Sequence, residues 1–179
     1  MATQIAFLRA VNVAGHAVVT MDALKKSFED AGCRNVKTVI QSGNVFFDGP
    51  SGKGGDRLRR EILNRLSDLL GERAVAAFRS MEELKSLADA DPFKTQSADT
   101  DVKRYVAFLT EAPRLNPVYP MESAKEGLEV FGGRNLDVFI LSLKVGRMYG
   151  FPNAFIEKAF GVSATTRNWN TVLKLAGMP

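Results

Sequence analysis

The side chains of this sequence with the clearest capacity for binding or acid–base chemistry gather in three short stretches. The first follows "IAFL", the second is the "QSGN" run, and the third is "TTRNWN" near the end of the chain. Guanidinium, amide and hydroxyl groups at turns and helix starts are donors with which proteins bind carboxylates and phosphates. If the three stretches meet in the fold, they form a polar pocket for a small anionic or phosphorylated ligand. The predicted pocket residues are Arg9, Asn12, His16, Gln41, Ser42, Asn44, Thr166, Arg167, Asn168 and Trp169.

Two arginines distinguish this pocket from ordinary turn chemistry. Asparagine, serine and threonine at such positions often satisfy only the local backbone. Arg9, however, falls within a predicted apolar strand, where an unpaired buried charge costs several kcal/mol. Arg167 falls at a predicted helix start, against the positive end of the helix dipole, and an anion would relieve that placement. A binding pocket and a purely structural polar network are the two interpretations of these residues.

Catalysis on such a ligand is an alternative function, in which His16, the only histidine, acts as the acid or base. Other chemistries have weaker support. One histidine and one cysteine, Cys33, cannot supply the usual ligands of a zinc site. Ser42 lacks the glycine two residues upstream that a nucleophile elbow requires. The run "GPSGKGG" departs from a phosphate-binding loop because Gly54, and not serine or threonine, follows Lys53. The sequence therefore predicts no metal and no cofactor.

The net charge of +4 allows a further alternative, a nucleic-acid binder of low specificity. Positive charge is densest in "KGGDRLRREILNR", where Arg57 and Arg60 lie on one side of a predicted helix, away from its apolar residues. Surface helices normally carry such charges, so a solvated helix face is the favoured interpretation. An RNA-recognition sheet is also disfavoured, because the adjacent Phe46 and Phe47 point to opposite faces of their strand.

The sequence gives no sign of a membrane protein. No apolar run approaches the roughly 18–20 residues of a membrane-spanning helix, and the first residues lack the pattern of a secretory signal. Cys33 is the sole cysteine, so an internal disulfide is excluded. We therefore expect a cytoplasmic location and no membrane partner, and the sequence leaves the oligomeric state open.

The elements that must position the pocket begin with a β-α-β-β-α-β order. "QIAFLRAV" predicts a buried strand, and a helix follows that is capped by Thr20 and ended by Gly32. "NVKTVIQ" and "NVFFDG" predict a hairpin, and "GPSGKGG" a loop. A second helix, capped by Asp56 and ended by Gly71, leads to a strand at "RAVAAFR". This order is that of a ferredoxin-like unit, which we assign to residues 1–90.

Residues 91–101 are polar, contain a proline and are predicted to be a linker. Residues 102–179 are predicted to form a second ferredoxin-like unit, with a hairpin turning around or close to Gly133-Arg134 and a short helix ended by Gly161. Its last helix begins near Thr166 and buries Trp169, Val172, Leu173 and Ala176. The predicted fold class is therefore α+β, with tandem ferredoxin-like units, mainly antiparallel sheets, and helices on one face. The repeated order suggests a structural duplication, and a single mixed sheet spanning both halves is the alternative.

Two segments carry a family resemblance. "IAFLRAVNVAGHAVVTMDALKKSFEDAGCRNVKTVIQSGNVFF" and "TTRNWNTVLKL" resemble the two signatures of a bacterial family known as domain of unknown function 1697, and the resemblance extends over nearly the whole chain. Ala10 and Ala14 stand where that family usually has glycine, the residue that allows a close backbone approach. The resemblance implies an α+β fold with ferredoxin-like subunits, and it implies no activity, substrate or cofactor. It marks the same ten pocket residues.

Overall fold

The computed structural model describes residues 1–9, 19–39, 43–71, 74–96 and 101–178. The chain divides into two compact units, Met1–Glu82 and Glu83–Pro179. The described residues form five helices and ten strands. These strands make two separate sheets, in which the neighbouring strands run antiparallel. The predicted α+β class with mainly antiparallel sheets is therefore confirmed, and a single sheet spanning both halves is excluded.

The first unit contains one four-stranded sheet. Its elements are β1 (Ala2–Leu8), α1 (Met21–Asp30), β2 (Arg34–Val39), β3 (Asn44–Gly49), α2 (Gly52–Leu70) and β4 (Ala76–Ser80). The strand order is β2-β3-β1-β4, and each neighbouring pair is antiparallel. This is the β-α-β-β-α-β sequence of elements that the hydrophobic pattern predicted.

The core of the first unit lies between this sheet and its two helices. Alternate strand residues such as Phe47 pack with Phe28 of α1 and with Ile62 and Leu66 of α2. The rings of Phe28 and Phe47 are 5.5 Å apart, and burying each such side chain contributes about 1.5–3 kcal/mol. Cys33 lies in the same cluster, and burial raises the pKa of its thiol to about 12. The thiol therefore stays protonated at neutral pH and is a packing group.

The start of α2 differs from the prediction. The helix begins at Gly52, after Ser51, so much of the expected "GPSGKGG" loop is helical and Asp56 is not the cap. The glycines serve packing here, because a methyl group on Gly55 would lie 2.7 Å from the carbonyl oxygen of Pro50. The close approach of the helix start to Pro50 requires glycine, and the sequence pattern alone resembled a loop.

The second unit contains a six-stranded sheet. Following α3 (Met81–Ala90), which begins at the unit boundary, its elements are β5 (Val102–Leu109), β6 (Met121–Ser123), β7 (Leu128–Arg134), β8 (Asp137–Val145), β9 (Met148–Tyr149), α4 (Asn153–Phe160), β10 (Ala164–Asn168) and α5 (Trp169–Ala176). The strands run in the order β10-β5-β8-β7-β6, and β9 pairs with β8. The four main strands therefore repeat the β4-β1-β3-β2 order of the first unit. Residues 110–127 stand in the place of the first crossover helix.

Side chains cover both faces of the second sheet. On one face, Ile156 and Phe160 of α4 pack on Val138 and Ile140 of β8. Phe139 alternates with these two and points to the other face, where four aromatic rings meet. Phe93 is the centre of this ring cluster, which we define as Phe93, Phe131, Phe139 and Trp169.

The ring cluster explains why the boundary between the units differs from the expected linker. Phe93 lies inside the stretch 91–101 and is 4% exposed, packed 5.2 Å from the ring of Trp169. Residues 91–96 are therefore part of the second unit, and the compact units divide at Glu82 and Glu83. The polar composition and the proline of this stretch indicate a linker, although one of its residues, Phe93, is buried.

The last forty-five residues hold one confirmed turn and two further differences. The β7–β8 hairpin turns at Asn135, which has φ +55°, next to the predicted Gly133-Arg134. The expected start of the last helix is the strand β10, and the residue that caps α5 is Asn168, not Thr166. Within α5, Leu175 is buried and Leu173 is 42% exposed, the reverse of the prediction for Leu173.

Candidate functional site

The ten predicted pocket residues fall into three groups. Asn12, His16, Gln41 and Ser42 lie outside the described residues. Arg9 and Asn44 belong to the first unit, and Thr166, Arg167, Asn168 and Trp169 belong to the second. The predicted meeting of all three stretches therefore joins residues of different units, and it stays a prediction.

Arg9 and Asn44 lie at the end of the first sheet where β1 finishes and β3 begins. Arg9 follows β1 instead of lying within it, is half-buried, and its backbone N–H donates to the carbonyl of Val75 at 2.9 Å. The argument from a charge inside an apolar strand therefore does not apply to it. Asn44 is 1% exposed, and its Nδ2 donates to the carbonyl of Val39 at 3.3 Å. Asn44 thus helps to close the β2–β3 hairpin, as the structural interpretation predicted.

Thr166 binds α4. Its Oγ1 donates to Oδ1 of Asn153 at 2.8 Å, and Nδ2 of Asn153 donates to the carbonyl of Ala164 at 3.1 Å. The backbone N–H of Ala164 in turn donates to Oε1 of Glu157 at 2.9 Å. These bonds attach β10 to α4 on one face of the strand, so the hydroxyl of Thr166 is used within the protein.

Thr165 and Arg167 occupy the opposite face of β10, because side chains alternate along a strand. Arg167 is 8% exposed and its Nη1 donates to the carbonyl of Thr166 at 3.0 Å. Burial lowers the pKa of Arg167 to about 10, so it stays charged at neutral pH while its charged form loses solvation. Thr165 is 1% exposed and pairs with Phe108 on β5. Among the buried side chains that the structure describes, its Oγ1 is the atom without a hydrogen-bond partner.

The next two residues begin α5. Oδ1 of Asn168 accepts the backbone N–H of Asn170 at 2.9 Å, which is the bond of a helix cap. Trp169 is buried in the ring cluster. Asn168 therefore fixes the helix start next to Arg167 by capping it, and Trp169 fixes it by packing in the core.

Arg167 has a counterpart that sequence reasoning missed. Arg79 is the fourth residue of β4, as Arg167 is of β10, and it is 5% exposed. Its Nη1 also donates to the carbonyl of the preceding residue, Phe78, at 2.7 Å. A shared sequence pattern could have indicated it. Both strands read alanine, two further residues, arginine and a polar residue, as "AAFRS" and "ATTRN". The "TT" pair, β-branched and typical of strands, could likewise have indicated β10.

The alternative nucleic-acid surface has mixed charge. Arg57 and Arg60 line a groove of about 570 Å³ between the end of α1 and α2, together with Asp30 and Glu61. Two acidic residues thus accompany the two basic ones, and the groove is not a uniformly positive stripe of the kind that binds phosphate backbones.

Two properties of the part of the chain that the structure describes bear on metal sites and on membrane-spanning helices: the spacing of its potential ligand side chains and the length of its helices. There, no three histidine, cysteine, aspartate or glutamate side chains are close enough to hold a metal ion. None of the helices formed by these residues combines the length and apolar character needed to cross a bilayer.

The fold and the arginine-bearing strands define an α+β protein of two antiparallel sheets, a class that by itself fixes no chemistry. The chain belongs to the family described as protein of unknown function, DUF1697, whose sequence profile matches residues 1–139. The predicted membership is confirmed, although the match is shorter than the resemblance suggested, since β10 and α5 lie beyond residue 139.

A solved structure of a conserved bacterial protein from Streptococcus pneumoniae is similar to this one. The sequences are 17% identical, the alignment covers 98% of this chain and 97% of the other, and the TM-score is 0.59. This likeness shows the fold. No curated protein is similar enough to the chain to count as a match.

Proposed function

We propose that the protein binds a small anionic molecule on the face of β10 that carries Thr165 and Arg167. The observation that carries this proposal is the unsatisfied hydroxyl of Thr165, two residues from a buried guanidinium on the same strand face. A buried hydroxyl without a partner costs about 1–3 kcal/mol. A carboxylate or phosphate oxygen would accept from this hydroxyl, and its charge would offset the desolvation of Arg167.

The spacing suits a compact anion. Alternate residues of a strand are about 6.5 Å apart, and a guanidinium on a long side chain can reach toward its neighbour. Thr165 and Arg167 would therefore contact different oxygens of one phosphate or carboxylate group. Since Thr165 is 1% exposed, a side chain must move for the ligand to reach it. We expect binding to be accompanied by a local rearrangement around β10.

Thermal unfolding with and without inorganic phosphate or citrate, at ionic strength matched with chloride, tests the proposal. A ligand present at 100 times its Kd stabilises the folded state by about 2.7 kcal/mol. Anions should raise the Tm of the wild-type chain, and Arg167→Gln and Thr165→Val should reduce that rise. Arg79→Gln is the matched control, because Arg79 makes the same backbone bond on the other edge strand. An equal rise in Arg167→Gln and in Arg79→Gln would refute the proposal.

The predicted contributions of Arg9, Asn12, His16, Gln41, Ser42 and Asn44 to the same ligand stay predictions. Catalysis through His16 and nucleic-acid binding through Arg57 and Arg60 also stay predictions, and no specific contact among the described residues favours either one. The anion-binding experiment does not depend on them.

A further inference from the structure

The second unit has a cavity of about 200 Å³ on the α4 face of its sheet, near the turn between β7 and β8. Its apolar walls include Leu109, Val138 and Phe160, which belong to the core cluster beneath α4. The proposed anion site lies on the opposite face of the same sheet. The cavity, which we call the Tyr119 cavity after one of its lining residues, is therefore separate from that site.

The described lining of the Tyr119 cavity presents no charged side chain. Among these residues Asp137 alone is acidic or basic, and its side chain alternates with that of Val138 along β8, so it points to the opposite face of the sheet. Asp137 reaches the cavity through its backbone, since its carbonyl oxygen would lie 3.0 Å from a methyl group on Gly133. The remaining polar residues of the lining are uncharged at neutral pH: Asn116, Tyr119 and Asn135. An ion that entered the cavity would lose hydration without gaining a counter-charge.

Tyr119 brings a hydrogen-bond donor into this lining. Its ring packs against that of Phe160, with centroids 6.5 Å apart, and a methyl group on Gly133 would lie 2.7 Å from its hydroxyl oxygen. The hydroxyl therefore lies close to the backbone of the sheet. Within the described part of the chain, no group forms a hydrogen bond with it. Burial raises the pKa of Tyr119, so the hydroxyl stays protonated at neutral pH and can donate to a ligand.

The segment that carries Tyr119 is attached to the unit but leaves apolar side chains exposed. The backbone N–H groups of Arg114 and Leu115 both donate to the carbonyl of Phe160, at 3.0 and 3.2 Å. Leu115 is nevertheless 53% exposed, and Val118, next to Tyr119, is 83% exposed. Exposed apolar side chains that lie close together often mark a binding site. This segment therefore combines a fixed backbone with apolar surface that the fold does not bury.

We propose that the Tyr119 cavity binds a compact neutral molecule, a single apolar ring that carries one hydrogen-bond acceptor such as a carbonyl oxygen. The ring would pack on Leu109, Val138 and Phe160, and the hydroxyl of Tyr119 would donate to the acceptor. Drug-sized ligands occupy cavities of about 300–1,000 Å³, so a cavity of about 200 Å³ fits a ligand no larger than a single substituted ring.

Ring compounds of similar size and different polarity test this inference, titrated into the full chain and followed by amide chemical shifts in NMR spectra. Acetophenone carries a carbonyl acceptor, whereas benzylamine, which is protonated at pH 7, and benzoate carry charges. We expect acetophenone to shift the amides around the cavity, and both ions to bind at least about tenfold more weakly, because nothing offsets their lost hydration. No binding of acetophenone, or equal affinities for acetophenone and either ion, would overturn the proposal.

Tyr119→Phe tests the hydrogen bond, since it removes the hydroxyl and keeps the ring. It should weaken acetophenone binding by about three- to tenfold, the range that one net hydrogen bond supplies. Binding of ethylbenzene, which has the same ring and no acceptor, should not change. An equal effect on both compounds, or no effect on acetophenone, would contradict the assigned role of the hydroxyl.

Two glycine variants locate the bound ring. Gly133→Ala should weaken acetophenone binding by about tenfold, because the added methyl group displaces the hydroxyl of Tyr119 and fills part of the cavity. Gly132→Ala is the matched control, since a methyl group there meets only an ordinary contact, 3.8 Å from Phe139. Equal affinities in these two variants would place acetophenone elsewhere. If Gly133→Ala does not fold, the comparison of acetophenone with ethylbenzene in Tyr119→Phe decides the question.

Discussion

The edge strands β4 and β10 occupy equivalent positions in their two sheets. Each is five residues long, pairs antiparallel with the first strand of its own sheet, and is followed at once by a helix. Each has a buried arginine as its fourth residue, opposite Ile5 in one sheet and Val106 in the other. The paired positions that carry the same residue are Ala76 and Ala164, Arg79 and Arg167, Leu87 and Leu175, and Ala88 and Ala176.

The correspondence between β4 and β10 shows which features of β10 belong to the shared fold and which are specific to β10. Because both arginines donate to the preceding carbonyl, that bond is part of the shared framework and is no sign of a ligand. The difference lies two residues earlier, where β4 has Ala77 and β10 has Thr165. Thr165 has a buried hydroxyl without a hydrogen-bond partner. The comparison therefore moves the argument for binding from Arg167 to Thr165, a position at which the two otherwise similar strands differ.

The largest expected loss of stability tests whether the β4–α3 and β10–α5 segments are equivalent. Leu87→Ala and Leu175→Ala remove buried side chains at matched positions of α3 and α5, and each should lower the free energy of unfolding by about 2–5 kcal/mol. Leu173→Ala, in the same helix as Leu175 but 42% exposed, should cost less than about 1 kcal/mol. Urea unfolding followed by circular dichroism measures all three. A small loss in either buried-leucine variant would break the equivalence of the two strand–helix segments.

The neighbouring threonines of β10 should respond differently to replacement by valine. Thr166→Val removes the donor to Asn153 and should destabilise the chain by about 1–3 kcal/mol. Thr165→Val keeps the shape of the side chain and removes an unsatisfied hydroxyl, so without added anion it should be neutral or stabilising by up to about 1 kcal/mol. Denaturant unfolding of both variants, in buffer free of phosphate and carboxylates, gives the two differences. Destabilisation by Thr165→Val would mean that its hydroxyl has a partner in solution.

Local signals in the sequence were sufficient for many element boundaries. The cap at Thr20 and the helix ends at Gly71 and Gly161 depend on the preferences of single residues, and the structure has all three as predicted. The start of α2 could not be predicted, because the contact of Gly55 with Pro50 exists only in the folded chain.

The sequence predicts which stretch of the chain holds the candidate site, but not how its side chains are arranged. The "TTRNWN" stretch was selected, but it was predicted to begin a helix, so the alternation that separates Thr165 from Thr166 was not foreseen. A strand pattern assigns the two hydroxyls to opposite faces. Whether each hydroxyl finds a partner depends on α4 and β5, which are distant in sequence. The lack of a partner for Thr165 is therefore a property of tertiary packing.

The smallest expected loss of stability concerns the exposed hydrogen bonds of Asp48 in the first sheet. We compare them with the buried hydrogen bond between β10 and α4. Asp48 on β3 accepts from Oγ1 of Thr3 and from Nδ2 of Asn35, each at 2.7 Å, in an exposed setting. These hydrogen bonds, that from Asn35 first, lower the pKa of Asp48 below its usual range. Exposed polar contacts contribute little, so Asp48→Asn should cost less stability at pH 7 than Thr166→Val.

The pH dependence identifies the source of that small contribution. Because folding lowers the pKa of Asp48, its stabilisation is present above the unfolded pKa of about 3.9 and is lost as the pH falls through the folded value. The difference in unfolding free energy between the wild-type chain and Asp48→Asn should therefore shrink between pH 5 and pH 2. Asn35→Ala removes the main donor and should reduce this pH-dependent difference, whereas Thr166→Val should leave it unchanged. A difference that is constant with pH would show that the contribution of Asp48 does not depend on its charge.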